Sequence, residues 1–271
     1  MVRPSRYQRR MPAAAFAALA ALWIGGVAWC ASDARAAANA ASADTHARRF
    51  YRACMKTART RPKAALEEAL AWAATGDELA SRHCAATALQ RLGRHGEAAR
   101  MLEAVVGDMA SAPKALRARL LHQSARAWLR ARRPERAVKA LGQAIALRPA
   151  DMRLRADRGL VLALINRMFE AIDDFNAVLE AEPKNADVLV LRAATYRKLK
   201  SLELAQDDLR RALALRPDHP DALLERGILR LVKKDVAGAR ADWIRVVHVA
   251  PRSAAAVVAR RKLAKLNQSG K

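Results

Sequence analysis

Apolar residues recur at helical spacing from Leu116 onward, and the whole pattern returns every 34 residues. Alanine recurs as Ala137, Ala171, Ala205 and Ala239, and a larger residue follows four positions later as Leu141, Phe175, Leu209 and Trp243. Three positions beyond stand Ala144, Val178, Ala212 and Val246. An earlier column of small residues reads Ala125, Gly159, Ala193 and Gly227, and Leu121, Leu189 and Leu223 share another with Arg155. Proline closes each unit at Pro149, Pro183, Pro217 and Pro251. These columns predict four antiparallel helix pairs over 118–151, 152–185, 186–219 and 220–253, with the recurrent alanines at the start of each second helix. Small residues let two helix backbones approach, and the larger ones fill the space beside them. A single pair cannot bury its apolar face, so stacking on neighbours completes the core.

The pattern weakens upstream. LQRLGRHGEAARMLEAV at 89–105 keeps Leu89, Ala98, Leu102 and Val105 in register, within a unit that starts near Leu79 and lies 39 residues before Ala118. HARRFYRACMKTA and PKAALEEALAWAA form a further apparent pair joined at 59–62, so 46–117 is read as degenerate helix pairs. At the other end, Val257, Val258, Leu263 and Leu266 mark a capping helix over 254–267. The first residues have another order: Arg3, Arg6, Arg9 and Arg10, then an apolar run from Ala13 to Ala31, then small residues. That order is the signature of a signal peptide over 1–36, with cleavage between 36 and 40. It places the mature protein in the periplasm, with inner-membrane anchoring by an uncleaved leader as the alternative.

The repeat columns resemble the tetratricopeptide repeat family and point to an exported bacterial member. In one unit the family's places are filled by Gly159, Leu162, Ala171, Phe175, Val178 and Pro183; in the next by Leu189, Ala193, Tyr196, Ala205, Leu209, Ala212 and Pro217. Arg230 stands where tyrosine is typical, and Arg158 and Arg192 precede the small residue. The resemblance implies an all-α fold: a tetratricopeptide-type α-solenoid of about six antiparallel helix pairs plus a C-terminal capping helix. It also implies binding of a peptide or protein surface in the groove lined by the first helix of each pair. On that register the groove residues are Arg119, His122, Arg126, Arg130, Arg153, Val190, Arg197, Leu224 and Ile228, basic at one end and apolar at the other. The same positions allow Leu224 and Ile228 to pack between units instead. Some family members clamp terminal carboxylates with basic residues and asparagines; here the asparagines are missing and Asp157 would repel such a ligand.

Composition narrows the partner. The chain has 50 Lys+Arg against 26 Asp+Glu, a net charge of +24, with 52% hydrophobic and 4% aromatic residues. Removing 1–36 takes away five basic residues and Asp33, leaving +24 − 4 = +20. That charge favours an acidic protein or peptide partner, with an anionic membrane surface or envelope polymer as the alternative. Nucleic acid is disfavoured, because the basic residues are spread over every repeat and no aromatic–basic stacking run accompanies them. No phosphate-binding loop, metal-binding histidine pair or C-x-x-C appears, so neither enzyme activity nor a cofactor is expected. Asp173-Asp174 and Asp207-Asp208 fall near second-helix starts, where helix-dipole electrostatics accounts for them. Of the three cysteines, Cys54 and Cys84 remain after the leader, either as a disulfide in an oxidising compartment or as free buried thiols. The chain thus reads as a non-catalytic interaction scaffold of the bacterial cell envelope.

Overall fold

The computed structural model describes residues 47–74 and 78–269. The leader segment and its cleavage site lie outside those residues. The chain divides into two compact units, Met1–Cys54 and Met55–Lys271. Of the first, the helical residues 47–54 are described. Among the described residues there are thirteen helices and no strand.

Residues 47–60 form α1. It is followed by α2 (Pro62–Ala73), α3 (Glu78–Arg91), α4 (His95–Asp108), α5 (Lys114–Arg130) and α6 (Pro134–Leu147). Then come α7 (Met152–Leu164), α8 (Met168–Ala181), α9 (Ala186–Lys198), α10 (Leu202–Leu215), α11 (Pro220–Val232), α12 (Val236–Val249) and α13 (Ala254–Ser269). From α2 to α13 each helix packs on the next, and α9 also touches α11, as α11 touches α13. This is nearest-neighbour stacking, the packing of an α-solenoid. No described helix is long and apolar enough to cross a membrane.

Local chemistry explains the boundaries. Pro134 and Pro220 open α6 and α11 at positions where a missing N–H costs nothing. Pro149, Pro183, Pro217 and Pro251 each follow the last residue of a second helix by two positions. Within the pairs, Arg132, Asn166, Lys200 and Lys234 adopt positive φ of 56–65°, and Gly93 adopts 77°. A left-handed residue ends the first helix and turns the chain into the second. The turn keeps the 34-residue period even where its residue is not glycine.

The core follows the small and large columns. Ala137, Ala171, Ala205 and Ala239 are fully buried, as are Phe175 and Trp243. Gly159 lies under Phe175, and a Cβ there would stand 2.7 Å from the ring. Gly227 lies under Trp243, where a Cβ would stand 2.4 Å from the indole nitrogen. The alanines Ala125 and Ala193 belong instead to units whose large residue is leucine.

Two expectations change. Second helices begin three residues before the recurrent alanines, at Pro134, Met168, Leu202 and Val236. In α13 the buried stripe is Ala255, Ala256 and Ala259, with Leu263 and Leu266 packed beside it. Val257 and Val258 are exposed, because they are rotated off the stripe that spacings of three and four define.

Candidate functional site

The charged residues sort into two populations. One is consumed by the fold. Arg158 grips Asp174 through two hydrogen bonds of 2.7 Å, Arg192 grips Asp208 at 2.7 and 2.8 Å, and Arg226 grips Asp242 at 2.6 and 3.0 Å. Each pair joins the first helix of a unit to its second, and the three aspartates are 2–3% exposed. Arg230, in the place of the family's tyrosine, adds a second guanidinium to Asp242 at 2.9 Å. Arg155, in the leucine column, turns toward Asp174 at 3.7 Å, while its neighbour Leu154 is buried.

These pairs correct the helix-dipole reading of the aspartates. With α8 and α10 starting at Met168 and Leu202, Asp174 and Asp208 sit on the second turn, buried against arginine. The unit 118–151 has no such pair, having Ser124 and Ala140 at the equivalent positions. There Ser124 and the Trp128 indole both donate to Glu103 Oε1, at 2.9 and 2.6 Å.

The other population faces outward from the first helices. Arg119, Arg126, Arg130 and Arg153 are exposed, and none pairs with a carboxylate among the described residues. His122 does pair, its Nε2 lying 2.7 Å from Asp157 Oδ2. Arg197 donates to Glu225. Val190 is buried, and Leu224 and Ile228 are partly buried against the core, so these three pack between helices. The apolar end of the sequence-derived groove is thereby largely spent on folding, and its basic end is left open.

At that end, α1, α3 and α5 line a pocket of about 360 Å³ with Met55, Arg59, Thr87, Gln90, Arg91, Gln123, Arg126, Ala127 and Arg130. Residue spacing alone pointed to Arg126 and Arg130; it missed Arg59 and Arg91, which lie on helices outside the strict 34-residue register. Behind the wall, His83 Nε2 and Gln123 Oε1 lie 3.1 Å apart. Burial pushes the His83 imidazole below its ordinary value, and the Gln123 bond offsets this in part. At another turn, burial works against the Asp187 charge, yet Arg216 and His219 together hold its carboxyl below the usual range. Among the described residues no group of three or more His, Cys, Asp or Glu side chains is placed to hold a metal ion. Cys54 and Cys84 are both buried and both disulfide-bonded.

Tetratricopeptide-repeat family models match residues 123–195 and 190–255. The repeat region of this chain belongs to the tetratricopeptide repeat family. It is similar to RNA polymerase II-associated protein 3 of Xenopus laevis, 33% identical over 99 residues that cover 36% of this chain and 14% of that protein. The human protein of that name is 31% identical over 94 residues, covering 35% and 14%. The chain therefore matches only about 14% of the length of these relatives. Among solved structures, MamA 41-end from Desulfovibrio magneticus RS-1 superposes with a TM-score of 0.55 at 22% identity, covering 66% of this chain and 98% of that one. The hetero-tetramer Cut9-Hcn1 gives a TM-score of 0.51 at 17% identity, covering 75% and 39%. Both share the fold with this chain.

Proposed function

We propose that the chain is a non-catalytic scaffold that binds an acidic peptide or protein segment along the first helices of its pairs. The observation that carries this reading is the division of the arginines. Those at 158, 192 and 226 are neutralised by buried aspartates, whereas Arg119, Arg126, Arg130 and Arg153 are exposed and unpaired on first helices. Unpaired guanidinium groups on one set of helices attract and orient carboxylates, and Arg does so with a two-pronged geometry that Lys lacks. The leader pattern and the two disulfide-bonded cysteines support an exported, periplasmic setting.

Reversing the field tests the reading. Arg126→Glu with Arg153→Glu weakens capture of an acidic partner by roughly tenfold or more, while the helical circular dichroism and melting temperature hold. Unchanged capture by the folded double variant overturns the basic-face assignment. The pairing of Cys54 with Cys84 belongs to the same proposal. Intact-mass measurement of the mature protein shows it about two mass units lighter before reduction than after, and equal masses contradict the bridge.

A further inference from the structure

We propose that the pocket formed by α1, α3 and α5 anchors an extended acidic peptide whose carboxylates recur at every third residue. The proposal rests on the scaffold reading above and deepens it, naming the anchoring site and the charge pattern of its ligand. Four arginines, Arg59, Arg91, Arg126 and Arg130, line this one pocket, and no carboxylate lines it with them. None of the four makes an ion pair with a carboxylate among the described residues. Three other clefts, of about 630, 600 and 710 Å³, also contain basic residues, yet each contains its own carboxylate: Glu103 in one, Glu182 and Asp187 in the next, Asp235 in the last. Of these four clefts, the one on the first helices is the one whose arginines have no carboxylate beside them.

A second observation points to a missing acceptor. Gln90 lines the pocket, and its Nε2 is buried without a hydrogen-bond partner. A buried donor left unmet is costly, and an incoming carboxylate oxygen satisfies it.

Position sets the ligand's spacing. Arg91 is the last residue of α3, Arg130 the last of α5, and Arg59 the second-last helical residue of α1. The three therefore stand at one level on successive first helices. All three line the same pocket, and helices that close to one another lie roughly 10 Å apart. Three residues of a polyproline II chain advance about 9 Å and return the side chain to the same face. A glutamate at every third position consequently meets one guanidinium per helix. Arg126, one turn before Arg130 and about 6 Å along the axis, gives the α5 level a second donor group.

Fluorescence anisotropy on the full chain tests this with the labelled peptide Glu-Pro-Pro-Glu-Pro-Pro-Glu, acetylated and amidated so that it has no terminal carboxylate. Its isomer with the three glutamates adjacent binds about fivefold more weakly, and its glutamine counterpart shows no measurable binding. Arg59→Glu with Arg91→Glu lowers affinity by about tenfold or more, and the gentler Arg59→Gln with Arg91→Gln by about fivefold. Lys139→Glu with Lys184→Glu, which changes the net charge equally at exposed sites elsewhere, leaves it within about twofold. Equal losses in both Glu pairs, equal binding of the glutamine peptide, or Arg59- and Arg91-dependent binding of tripolyphosphate or phosphatidylglycerol vesicles without peptide binding each overturn the proposal. Should Arg153→Glu weaken a captured partner while Arg59→Glu with Arg91→Glu does not, the scaffold reading stands and this anchoring pocket falls.

Discussion

The contact between Gly159 and the Phe175 ring shows how closely two helices of one unit approach. A methyl group at Gly159 would sit 2.7 Å from the ring, well inside van der Waals contact, and Gly227 faces Trp243 in the same way. Where the large residue is Leu141 or Leu209, the small column holds Ala125 or Ala193 instead. The repeat thus exchanges volume across one interface: glycine against an aromatic ring, alanine against leucine. Gly159→Ala is expected to cost about 1–3 kcal/mol in denaturant unfolding, and adding Phe175→Leu should recover part of it. Full additivity of the two substitutions would show that they do not share this contact. These columns were readable in the sequence because size and polarity recur at a fixed period.

Charge within the elements was harder to read. Arg158 and Arg192 look like departures from the repeat pattern, and Asp174 and Asp208 look like residues facing the helix dipole near a helix start. Each property belongs to one residue type, whereas the buried ion pair belongs to two positions sixteen apart on different helices. Charged residues are so seldom buried that composition assigns them to solvent by default. The signal that would have found the pairs is the shared period of Arg158, Arg192 and Arg226 with Asp174, Asp208 and Asp242. Arg192→Ala leaves the buried Asp208 carboxylate with only the longer contact to Arg211 at 3.6 Å, and is expected to destabilise by roughly 3 kcal/mol. Arg192→Met with Asp208→Leu should cost less than that single change, and a double-mutant cycle decides it. The turns obey a different rule. Lys200 and Lys234 occupy left-handed backbone at φ 64° and 65°. Lys200→Gly relieves the Cβ strain and is expected to gain up to about 1 kcal/mol, while Lys200→Val should lose at least that, both read from melting temperatures.

Across the molecule, the arginines divide between holding the solenoid together and facing outward. The positive total was plain from composition, but its partition was not, since it depends on which arginine meets which carboxylate. Likewise Val190, Leu224 and Ile228 satisfied the groove register yet serve the core. Stability carries a pH signature of its own at His83. Its folded value lies below the ordinary 6.5 because burial disfavours the imidazolium, so the unfolded chain binds the proton more readily. This contribution is complete above the unfolded value and is lost as pH falls through the folded one. A His83→Asn variant should therefore lose less stability on acidification through that window than the parent protein does. Equal pH dependence of the two melting temperatures would assign the effect to other groups.

Hydrogen exchange on the full chain, with and without its captured partner, tests the central claim most directly. The account predicts that added protection concentrates on the first helices, strongest at the ends of α3 and α5 around Arg91, Arg126 and Arg130. Protection confined to the second helices α4, α6 and α8 would place the partner on the opposite surface and contradict it.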